Sequence, residues 1–467
     1  MSRFHDSNPT PSIPRLGYGY AIRKAPLYFQ NPIAFFEDVV RRYGDMAIYR
    51  QFNKSVLLLN RPDGVRRILD DQVRYVRGQA IEDLSWLLGN GLFRSTGDLW
   101  RQQRTLMQPA FRRPSLESVA DVMVRTVEET VTRWSLAAQH GNPVDVVAEM
   151  RRLSFYSLCR TLLSDDHPVD FERVDAALAA IMDDTVANHY STRLLYRTVL
   201  LFLGRTQPLP SVVRDALACL ETEAARLTSA CRREGRAGPL LEALLDAQNK
   251  DAIDEVQIRD EIMNLFFAGY DTTAAALAWT WHLLGRHTSE EQKLYREIDT
   301  VLDGRPPTSA DMPKLPYARM VFFETLRLYP PAWLFVREAL ADDEIGGFPI
   351  RKGTVVVMSP FALHRHPGFW DDPEAFRPER FHPEQPAEAV RSCYIPFGDG
   401  PHVCIGKHFA LMLGQLALTR LAGIFRLHPW SETPVKPVIR ITIQPSALLM
   451  RPELRTARQK TEPVAAQ

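Results

Sequence analysis

A single cysteine lies in a glycine-punctuated loop directly before a long apolar segment. Cys404 stands between Gly400 and Gly406, and the apolar pattern that follows predicts a helix over Cys404–Ile424. The positive end of a helix lowers the pKa of a thiol, so a cysteine at this junction is placed to act as a thiolate ligand. Glycine also lets a flat ligand approach the backbone closely. The segment therefore predicts a site in which one sulfur faces a metal or a planar ligand.

Cys404 has two alternative interpretations. An unpaired cysteine is more often a small buried hydrophobe, and in isolation Cys404 fits that description. A zinc site needs several ligands at close spacing, and the nearby candidates, Cys393 and His402, form no Cys-x-x-Cys pair. Zinc is therefore excluded, and the motifs upstream decide between a buried thiol and a ligand.

An apolar stretch over Glu261–Leu284 predicts a buried helix that carries small and polar residues at its centre. Gly269 costs about 1 kcal/mol relative to alanine there, and a buried Asp271 needs partners. Thr272 can donate to the carbonyl of Ala268, which would loosen the helix and open a groove beside Gly269. A helix-cap role for Asp271 does not fit, because apolar residues continue on both sides.

Glu324 and Arg327 are three residues apart, on one face of a predicted helix. An exposed pair of this kind contributes only about 0.3 kcal/mol. Apolar neighbours such as Phe322 and Leu326 argue against exposure, and a buried ion pair needs a further partner. The pair therefore predicts part of a buried polar network.

The order Phe-x-x-Gly-x-x-x-Cys-x-Gly, over Phe397–Gly406, resembles the signature of the cytochromes P-450, the haem-thiolate monooxygenases. With the segments around Thr272 and Glu324, and with Trp100 and Arg104 one helical turn apart, the resemblance extends from about residue 30 to residue 450. It implies a mostly α fold: one large helical domain with a small β-rich region. The haem would be buried between the oxygen-binding helix and the cysteine-loop helix.

The resemblance also implies a role for individual residues. Cys404 would be the axial ligand of haem b, and Asp271 and Thr272 would relay protons to the oxygen being activated. Arg380 would complete the structural network of Glu324 and Arg327. The other expected cofactor-binding residues are Trp100, Arg104, Ala268, Gly269, Arg337, Phe397, His402 and Gly406, with Arg101 a weaker candidate. The expected substrate pocket comprises Leu84, Phe93, Asn264, Phe267, Ala332, Leu334, Ala447 and Leu448.

Asn264 is the one strongly polar side chain expected on the pocket-facing stripe of the oxygen helix. Its amide offers both a donor and an acceptor, so it could anchor the substrate. The alternative is a structural role, because buried amides usually bond to protein groups.

The implied reaction is hydroxylation or epoxidation of a hydrophobic molecule such as a terpenoid, a fatty acyl chain or a polyketide-like product. Electrons would come from a separate ferredoxin or flavodoxin with its NAD(P)H reductase, docking on a basic surface that includes Arg112, Arg113 and Lys407. Ordinary solvated charges explain these three residues equally well. A peroxygenase or a gas or redox sensor is the alternative function, and Asp271 with Thr272 argues against both.

Composition excludes several other classes of protein. Its 57 basic and 56 acidic side chains give a net charge of +1, so no nucleic-acid surface is indicated. Five cysteines without a disulfide pattern favour a reducing cytoplasm. Met1–Leu16 lacks the run of about 18 apolar residues that would form a membrane anchor. We expect a cytoplasmic monomer with a single domain over residues 1–467 and flexible tails at 1–16 and 452–467.

Periodicity predicts the remaining elements. A hairpin is expected from Ala47–Phe52 and Val56–Asn60, and later strands at Val355–Met358 and Ile439–Ile443. The other predicted helices are Pro62–Leu69, Val119–Trp134, Val147–Leu163, Phe171–Ala187, Val212–Arg233 and Glu290–Leu302. An irregular, proline-rich stretch is expected between His366 and Tyr394.

Overall fold

Helices form most of the chain. The computed structural model describes residues 13–51, 54–190, 209–384, 390 and 392–455. The helices are α1 (Tyr18–Gln30), α2 (Pro32–Tyr43), α3 (Pro62–Asp70), α4 (Gln79–Glu82), α5 (Ser85–Leu88), α6 (Gly97–Met107), α7 (Arg113–Ser118), α8 (Ala120–His140), α9 (Val146–Leu162), α10 (Phe171–Tyr190), α11 (Ser211–Glu234), α12 (Pro239–Asn249), α13 (Glu255–Leu284), α14 (Thr288–Leu302), α15 (Pro316–Leu328), α16 (Pro360–Leu363) and α17 (Lys407–Ile424). Short 3₁₀ helices span Gln108–Phe111, Ser309–Lys314 and Pro378–Phe381. All the predicted helices are confirmed, with small differences at their ends.

α13 is the long central helix. The side chain of Asp254 accepts from the backbone N–H of Gln257 at 2.8 Å and so caps the first turn. The sequence from Ile258 to Leu284 is apolar on nearly all sides, which is typical of a helix that neighbours surround. α9 packs across it at close range, because a Cβ at Gly269 would lie 2.1 Å from a methyl group of Leu158.

The strands form small sheets at the edges of the helical body. They are β1 (Met46–Gln51), β2 (Lys54–Leu59), β3 (Tyr75–Val76), β4 (Val144–Asp145), β5 (Phe335–Ala339), β6 (Asp343–Ile345), β7 (Phe348–Ile350), β8 (Val355–Met358), β9 (Phe425–Pro429), β10 (Pro437–Ile439), β11 (Ile443–Pro445) and β12 (Leu449–Leu454). The largest sheet has the order β1-β2-β8-β5-β3. The predicted hairpin is confirmed as β1 and β2, with Met46 opposite Leu59, although its turn at 52–53 lies outside the described residues.

Ile439–Ile443 spans the turn of a hairpin, from the last residue of β10 to the first residue of β11, and the prediction of a single strand there is wrong. Ile439 pairs with Ile443, and the backbone N–H of Arg440 donates to the carbonyl of Thr442 at 2.9 Å to close the turn. Two buried indoles hold this hairpin. Trp279 of α13 donates to the carbonyl of Ile443 at 3.1 Å, and Trp333 donates to that of Arg440 at 3.2 Å.

Residues 13–16 and 452–454, which were expected to lie in flexible tails, are ordered. Ile13 and Leu16 are buried, and the backbone N–H of Leu16 donates to Ile48 of β1 at 2.8 Å. At the other end, Pro452–Leu454 belong to β12, which pairs with β9. Apolar contacts and ladder bonds order these residues. Residues 1–12 and 456–467 lie outside the described part of the chain.

Two helices frame the segment that holds Cys404. α15 and α17 approach so closely that a Cβ at Gly414 would lie 2.5 Å from the ring of Phe322. The largest apolar cluster runs through α8, α9, α13, α15 and α17. No helix among the described residues is long and apolar enough to cross a membrane.

Candidate active site

The Cys404 loop is tightly wound. The backbone N–H of Cys404 donates to the carbonyl of Phe397 at 2.9 Å, and that of Val403 donates to Gly400 at 3.1 Å. Gly400 has φ +67°, and a Cβ there would lie 2.4 Å from the carbonyl oxygen of Leu69. Glycine is therefore required at position 400 for both backbone conformation and space.

α17 begins at Lys407, three residues later than the predicted start at Cys404. Burial raises the pKa of the Cys404 thiol, whereas the backbone N–H of Gly406 and the charge of Arg104 pull it down. Burial therefore opposes the lowering of this pKa that was expected from the helix end. A bound metal cation ionises a coordinating thiol outright. The side chain of Cys404 is accessible to solvent, although many protein atoms lie around it. Both are expected for a residue that lines a cleft.

One stripe of α13 is also accessible. Between Asp260 and Trp281 every residue is buried except Ala268, Gly269 and Thr272, which share one face of the helix. As predicted, the hydroxyl of Thr272 donates to the carbonyl of Ala268, at 3.0 Å. The sequence predicted that a groove opens beside Gly269. Instead, Leu158 of α9 fills the space where a side chain of residue 269 would lie, so this glycine allows α9 to pack closely on α13.

Asp271 lies on another face of α13 and has several partners. Nε of Arg151 is 3.4 Å from Oδ1, and the hydroxyl of Thr442 donates to Oδ2 at 3.2 Å. The amide of Gln444 also donates to Oδ2. Burial raises the pKa of Asp271, and Arg151 opposes that shift. Arg151 also lies 3.5 Å from Oδ1 of the partly exposed Asp175, so paired charges connect Asp271 with the surface.

A cluster of cations lies beside the Cys404 loop. Arg104 donates to the carbonyl of Val403 at 3.0 Å, and the ring of Trp100 lies 4.2 Å from that of His402. Arg77 lies 3.3 Å from Nδ1 of His402. Burial, with a smaller contribution from the neighbouring arginines, lowers the pKa of Arg77 to about 9 and that of His402 to about 3.

Arg77 was not anticipated from the sequence. β3 pairs antiparallel with β5 so that Val76 lies opposite Glu338, and the register carries Arg77 towards Arg337. Burial lowers the pKa of Arg337 to about 10. A lone arginine gives no sequence signal. The pairing of β3 with β5, about 260 residues apart in sequence, supplies the only clue.

Glu324 and Arg327 form a fully buried ion pair in α15. Two hydrogen bonds of 2.7 and 2.8 Å join them, and both side chains have 0% exposure. Arg327 also donates to the carbonyls of His364, Pro373 and Ala375, so all five of its N–H donors have acceptors. Nε of Arg380 lies 3.4 Å from Oε1 of Glu324.

This network connects directly to the Cys404 loop. The backbone N–H of Ile395 donates to Nε2 of His364 at 2.9 Å, and the hydroxyl of Tyr394 donates to the carbonyl of Phe323 at 2.9 Å. α15 therefore fixes the start of the segment that leads to Phe397 and Cys404.

A family model described as Cytochrome P450 matches residues 8–455. The chain belongs to the cytochrome P450 family. Cyclooctatin synthase of Streptomyces melanosporofaciens is 33% identical over 95% of this chain and 94% of its own. Pentalenene oxygenase of Streptomyces avermitilis is 32% identical over 96% and 97%. The chain is a P450 monooxygenase with a haem-thiolate cofactor, and it acts with dioxygen on a hydrophobic substrate.

A solved haem domain of a cytochrome P450DA mutant shares the fold. It superposes with a TM-score of 0.84 and covers 97% of this chain and 99% of its own, at 24% identity. The mostly α P450 fold with a small β region, which the sequence predicted, is thus confirmed.

The residues around Cys404 fit a haem. A haem brings two propionate carboxylates, and Arg77, Arg104 and Arg337 have no carboxylate ion-pair partner within the described residues. An anion from outside the chain would give these three arginines their missing counter-charge. The described residues contain no cluster of three or more His, Cys, Asp or Glu side chains that could hold a metal ion, so Cys404 would be the one described side chain to ligate an iron at this site. That donor set suits a macrocycle that supplies the other ligands itself.

The P450 pocket residues predicted from sequence divide into two groups. Phe93, Ala332, Leu334 and Ala447 are at least partly accessible. Leu84, Phe267 and Leu448 are buried. The ring of Phe93 lies 5.9 Å from that of Phe267, edge to face, so these two form one aromatic wall.

Asn264 is committed to the backbone of a loop, and the substrate-anchor hypothesis is corrected here. Its Nδ2 donates to the carbonyls of Leu88 at 2.8 Å and Asp260 at 2.6 Å, while its Oδ1 accepts from the N–H of Phe93 at 2.9 Å. With 5% exposure and these bonds made, the amide serves structure.

Proposed function

We propose that this P450 oxidises a terpenoid hydrocarbon or alcohol by hydroxylation or epoxidation. The support is the activity for which its relatives are named: cyclooctatin synthase, pentalenene oxygenase and a cyclooctat-9-en-7-ol 5-monooxygenase, each at 31 to 33% identity over at least 88% of both chains. The apolar wall of Phe93 and Phe267 suits such a substrate. Fatty acyl chains and polyketide-like products are the alternatives.

We propose haem b as the cofactor, with Cys404 as its thiolate ligand and with Arg77, Arg104, Arg337, Trp100 and His402 around its propionates. A haem-thiolate supplies oxygen activation and O–O cleavage when bound. The protein contributes the thiolate position through the 395–406 loop and the charge balance through the arginines. Ala268 and the backbone of Gly269 lie on the accessible stripe of α13 and are proposed to face the cofactor, while Leu158 occupies the space where a side chain of residue 269 would lie.

Thr272 and Asp271 are the proposed proton-handling groups. The Thr272 hydroxyl lies on the accessible face of α13, one turn from the carbonyl that it bonds. Asp271 lies about 100° further round the helix, with its carboxylate turned towards Arg151 and Gln444. Burial raises its pKa, so Asp271 holds a proton more readily than an exposed aspartate does. Asp175, the other partner of Arg151, is partly exposed, so this chain of paired charges extends from Asp271 to the solvent.

Electrons are proposed to come from a separate ferredoxin or flavodoxin. Arg112, Arg113 and Lys407 are all exposed, and Arg113 pairs with Glu117 at 2.7 Å. Arg112 and Lys407 therefore offer the free positive charge for an acidic partner. A cytoplasmic, monomeric protein is the accompanying proposal, supported by cysteines that are all free.

Replacement of the thiolate tests the assignment most directly. Cys404→Ala should abolish the thiolate band of the reduced carbon monoxide complex and all oxygenation, because no other described cysteine lies in such a loop. Cys393→Ala is the matched control, since Cys393 is a buried thiol in an apolar cluster and should leave the band in place. A Cys404→Ala protein that keeps the band would exclude the assignment.

Thr272→Ala should bind haem and substrate normally but divert electrons to hydrogen peroxide. A positioned proton donor contributes on the order of 10²-fold, so product formed per electron should fall steeply. Thr273→Ala is the control, because Thr273 is buried on another face. Parent-level coupling in Thr272→Ala would exclude the relay.

The alternatives are separated by oxygen uptake. A monooxygenase consumes dioxygen with electrons and substrate, a peroxygenase works with peroxide alone, and a sensor turns over with neither. Pentalenene, a fatty acid and a macrolide should be compared by the spectral shift that substrate produces at the haem. A shift with pentalenene alone supports the terpenoid class, and a shift with the fatty acid alone contradicts it.

A further inference from the structure

The loop over residues 88–93 is bonded to α13 through its backbone N–H groups, which donate to side chains of the helix. Three of its N–H groups each donate to a different side chain of one helix. Asn90 donates to Oδ2 of Asp260 at 2.6 Å, and Leu92 donates to Oε2 of Glu261 at 3.0 Å. Phe93 donates to Oδ1 of Asn264 at 2.9 Å, as described above.

Two glycines let the loop approach this closely. A Cβ at Gly89 would lie 2.1 Å from the carboxylate of Asp260, and one at Gly91 would lie 2.1 Å from the amide of Asn264. Gly89 also has φ +52°, a conformation that favours glycine. Each glycine of the loop therefore leaves room for one polar side chain of α13: Gly89 for Asp260, and Gly91 for Asn264.

The opposite side of the loop is held as well. Gln103 of α6 donates to the carbonyl of Asn90 at 2.7 Å, and Arg94 donates to that of Gly89 at 2.5 Å. The loop backbone is thus fixed from α6 and from α13. A surface cleft of about 540 Å³ lies between α6 and α13 and reaches Gln103 and Glu261.

The loop ends in the aromatic wall of the site. Phe93, whose N–H Asn264 holds, is 37% exposed. Its ring packs on Phe267 and lies 5.3 Å from the guanidinium carbon of Arg77. Asp260, Glu261 and Asn264 are 1 to 5% exposed and bond to the loop backbone, so their effect on the pocket passes through the position of Phe93.

We propose that Asp260, Glu261 and Asn264 form a backbone clamp, and that this clamp sets the position of Phe93 and so determines which part of the substrate is oxidised. The three are positioning residues, because they act through the loop. The effect on oxidation rests on the proposed function. The clamp itself does not, so the two can fail separately.

Glu261 gives the sharpest test because one replacement keeps the acceptor and another removes it. Glu261→Gln retains an oxygen for the N–H of Leu92, and Glu261→Leu does not. Gly91→Ala attacks the same clamp sterically from the loop. Gln257→Leu is the matched control, since Gln257 bonds the other oxygen of Glu261 and makes no bond to the loop.

Three measurements on the haem-loaded protein are needed. Amide hydrogen exchange of the peptide over residues 88–95 reports the clamp. The affinity for 4-phenylimidazole relative to imidazole reports the pocket without a substrate. The ratio of monooxygenated products from pentalenene reports the site of oxidation.

In Glu261→Leu, loop exchange should accelerate and the relative 4-phenylimidazole affinity should fall, each by about fivefold, the equivalent of one net hydrogen bond. Glu261→Gln should return both close to the parent, and Gly91→Ala should resemble Glu261→Leu. Parent-like exchange in Glu261→Leu overturns the clamp. Faster exchange with unchanged relative affinity and product ratio overturns its control of the pocket. If the parent does not oxidise pentalenene, the proposed substrate class fails, while exchange and affinity still decide the clamp.

Discussion

Two groups of enclosed arginines, one in the Glu324 network and one beside His402, differ in what they are bonded to. Arg327 has every donor satisfied within the chain and is joined to Glu324 by two hydrogen bonds. Arg77 and Arg337 are largely enclosed but have no carboxylate partner among the described residues, and burial lowers the pKa of both. The first group stabilises the fold. The second group is placed to bind an anion that the chain itself does not supply.

The difference shows how buried charge can be interpreted. A buried charge that is fully paired stabilises the fold only as long as both partners remain. A buried charge without a partner costs free energy in the isolated chain and is retained when a ligand compensates it. Removal of one charge should therefore lower the free energy of unfolding in the paired group, and should leave it unchanged or raise it in the unpaired group.

The largest effect is expected from breaking the paired group. Glu324→Ala should cost about 3 to 5 kcal/mol of unfolding free energy, because it leaves Arg327 buried without a counter-charge. Little haem-loaded protein should be recovered, since this network holds the start of the Cys404 loop. Chemical denaturation and haem content measure both effects. Asp98→Ala, at an ion pair whose carboxylate is 97% exposed, is the control and should change neither. Normal haem loading in Glu324→Ala would contradict a structural role.

Glu261 tests the intermediate case of a buried acid with neutral donors only. Burial, with a smaller contribution from the charge of Asp260, raises its pKa from an ordinary 4.5 to about 7, although the hydrogen bonds from Leu92 and Gln257 lower it. Between about pH 4.5 and pH 7 the folded state holds a proton that the unfolded state has lost. This contribution to stability is therefore complete below pH 4.5 and is lost as pH rises to 7, by about 3 kcal/mol.

Denaturation of the parent and of Glu261→Gln across that range checks the sign. The variant should lack this part of the pH slope, and Glu344→Gln, at an exposed carboxylate, should retain it. If the parent and Glu261→Gln have the same slope, Glu261 does not titrate in this window.

The smallest effect on folding is expected in the unpaired group. Arg337→Leu should leave the stability of the haem-free protein unchanged or raise it by about 1 kcal/mol, because a costly buried charge disappears. The same change should speed the transfer of haem to an acceptor protein. Arg351→Leu, at an exposed arginine, serves as control. A clear loss of haem-free stability in Arg337→Leu would remove the distinction between the two groups.

Local sequence patterns were enough to predict the helices, the first hairpin and several features of the candidate site. The Cys404 loop, the Glu324–Arg327 pair and the bond from Thr272 to Ala268 depend on residues close together in the chain, where spacing fixes geometry. The helices and the β1–β2 hairpin follow for the same reason.

The remainder depends on contacts between distant segments. Asn264 was assigned to the pocket because its helix face was read in isolation, whereas a loop about 170 residues earlier uses its amide. Arg77 reaches the site through strand pairing, and Arg151 and Gln444 reach Asp271 from two other elements. The ends of the chain were predicted flexible from their polarity, yet ladder bonds and apolar contacts hold 13–16 and 452–455. No local signal carries such information.

The β10–β11 hairpin has a consequence for how the protein is made. Thr442 and Gln444 bond to Asp271 across more than 170 residues, and indole donors in α13 and before β5 hold the hairpin in place. At synthesis rates of about 5 to 20 residues per second, α13 leaves the ribosome several seconds before that hairpin exists. During this interval the carboxylate of Asp271 lacks two of its three described partners. The centre of the molecule is therefore completed only after Gln444 has emerged.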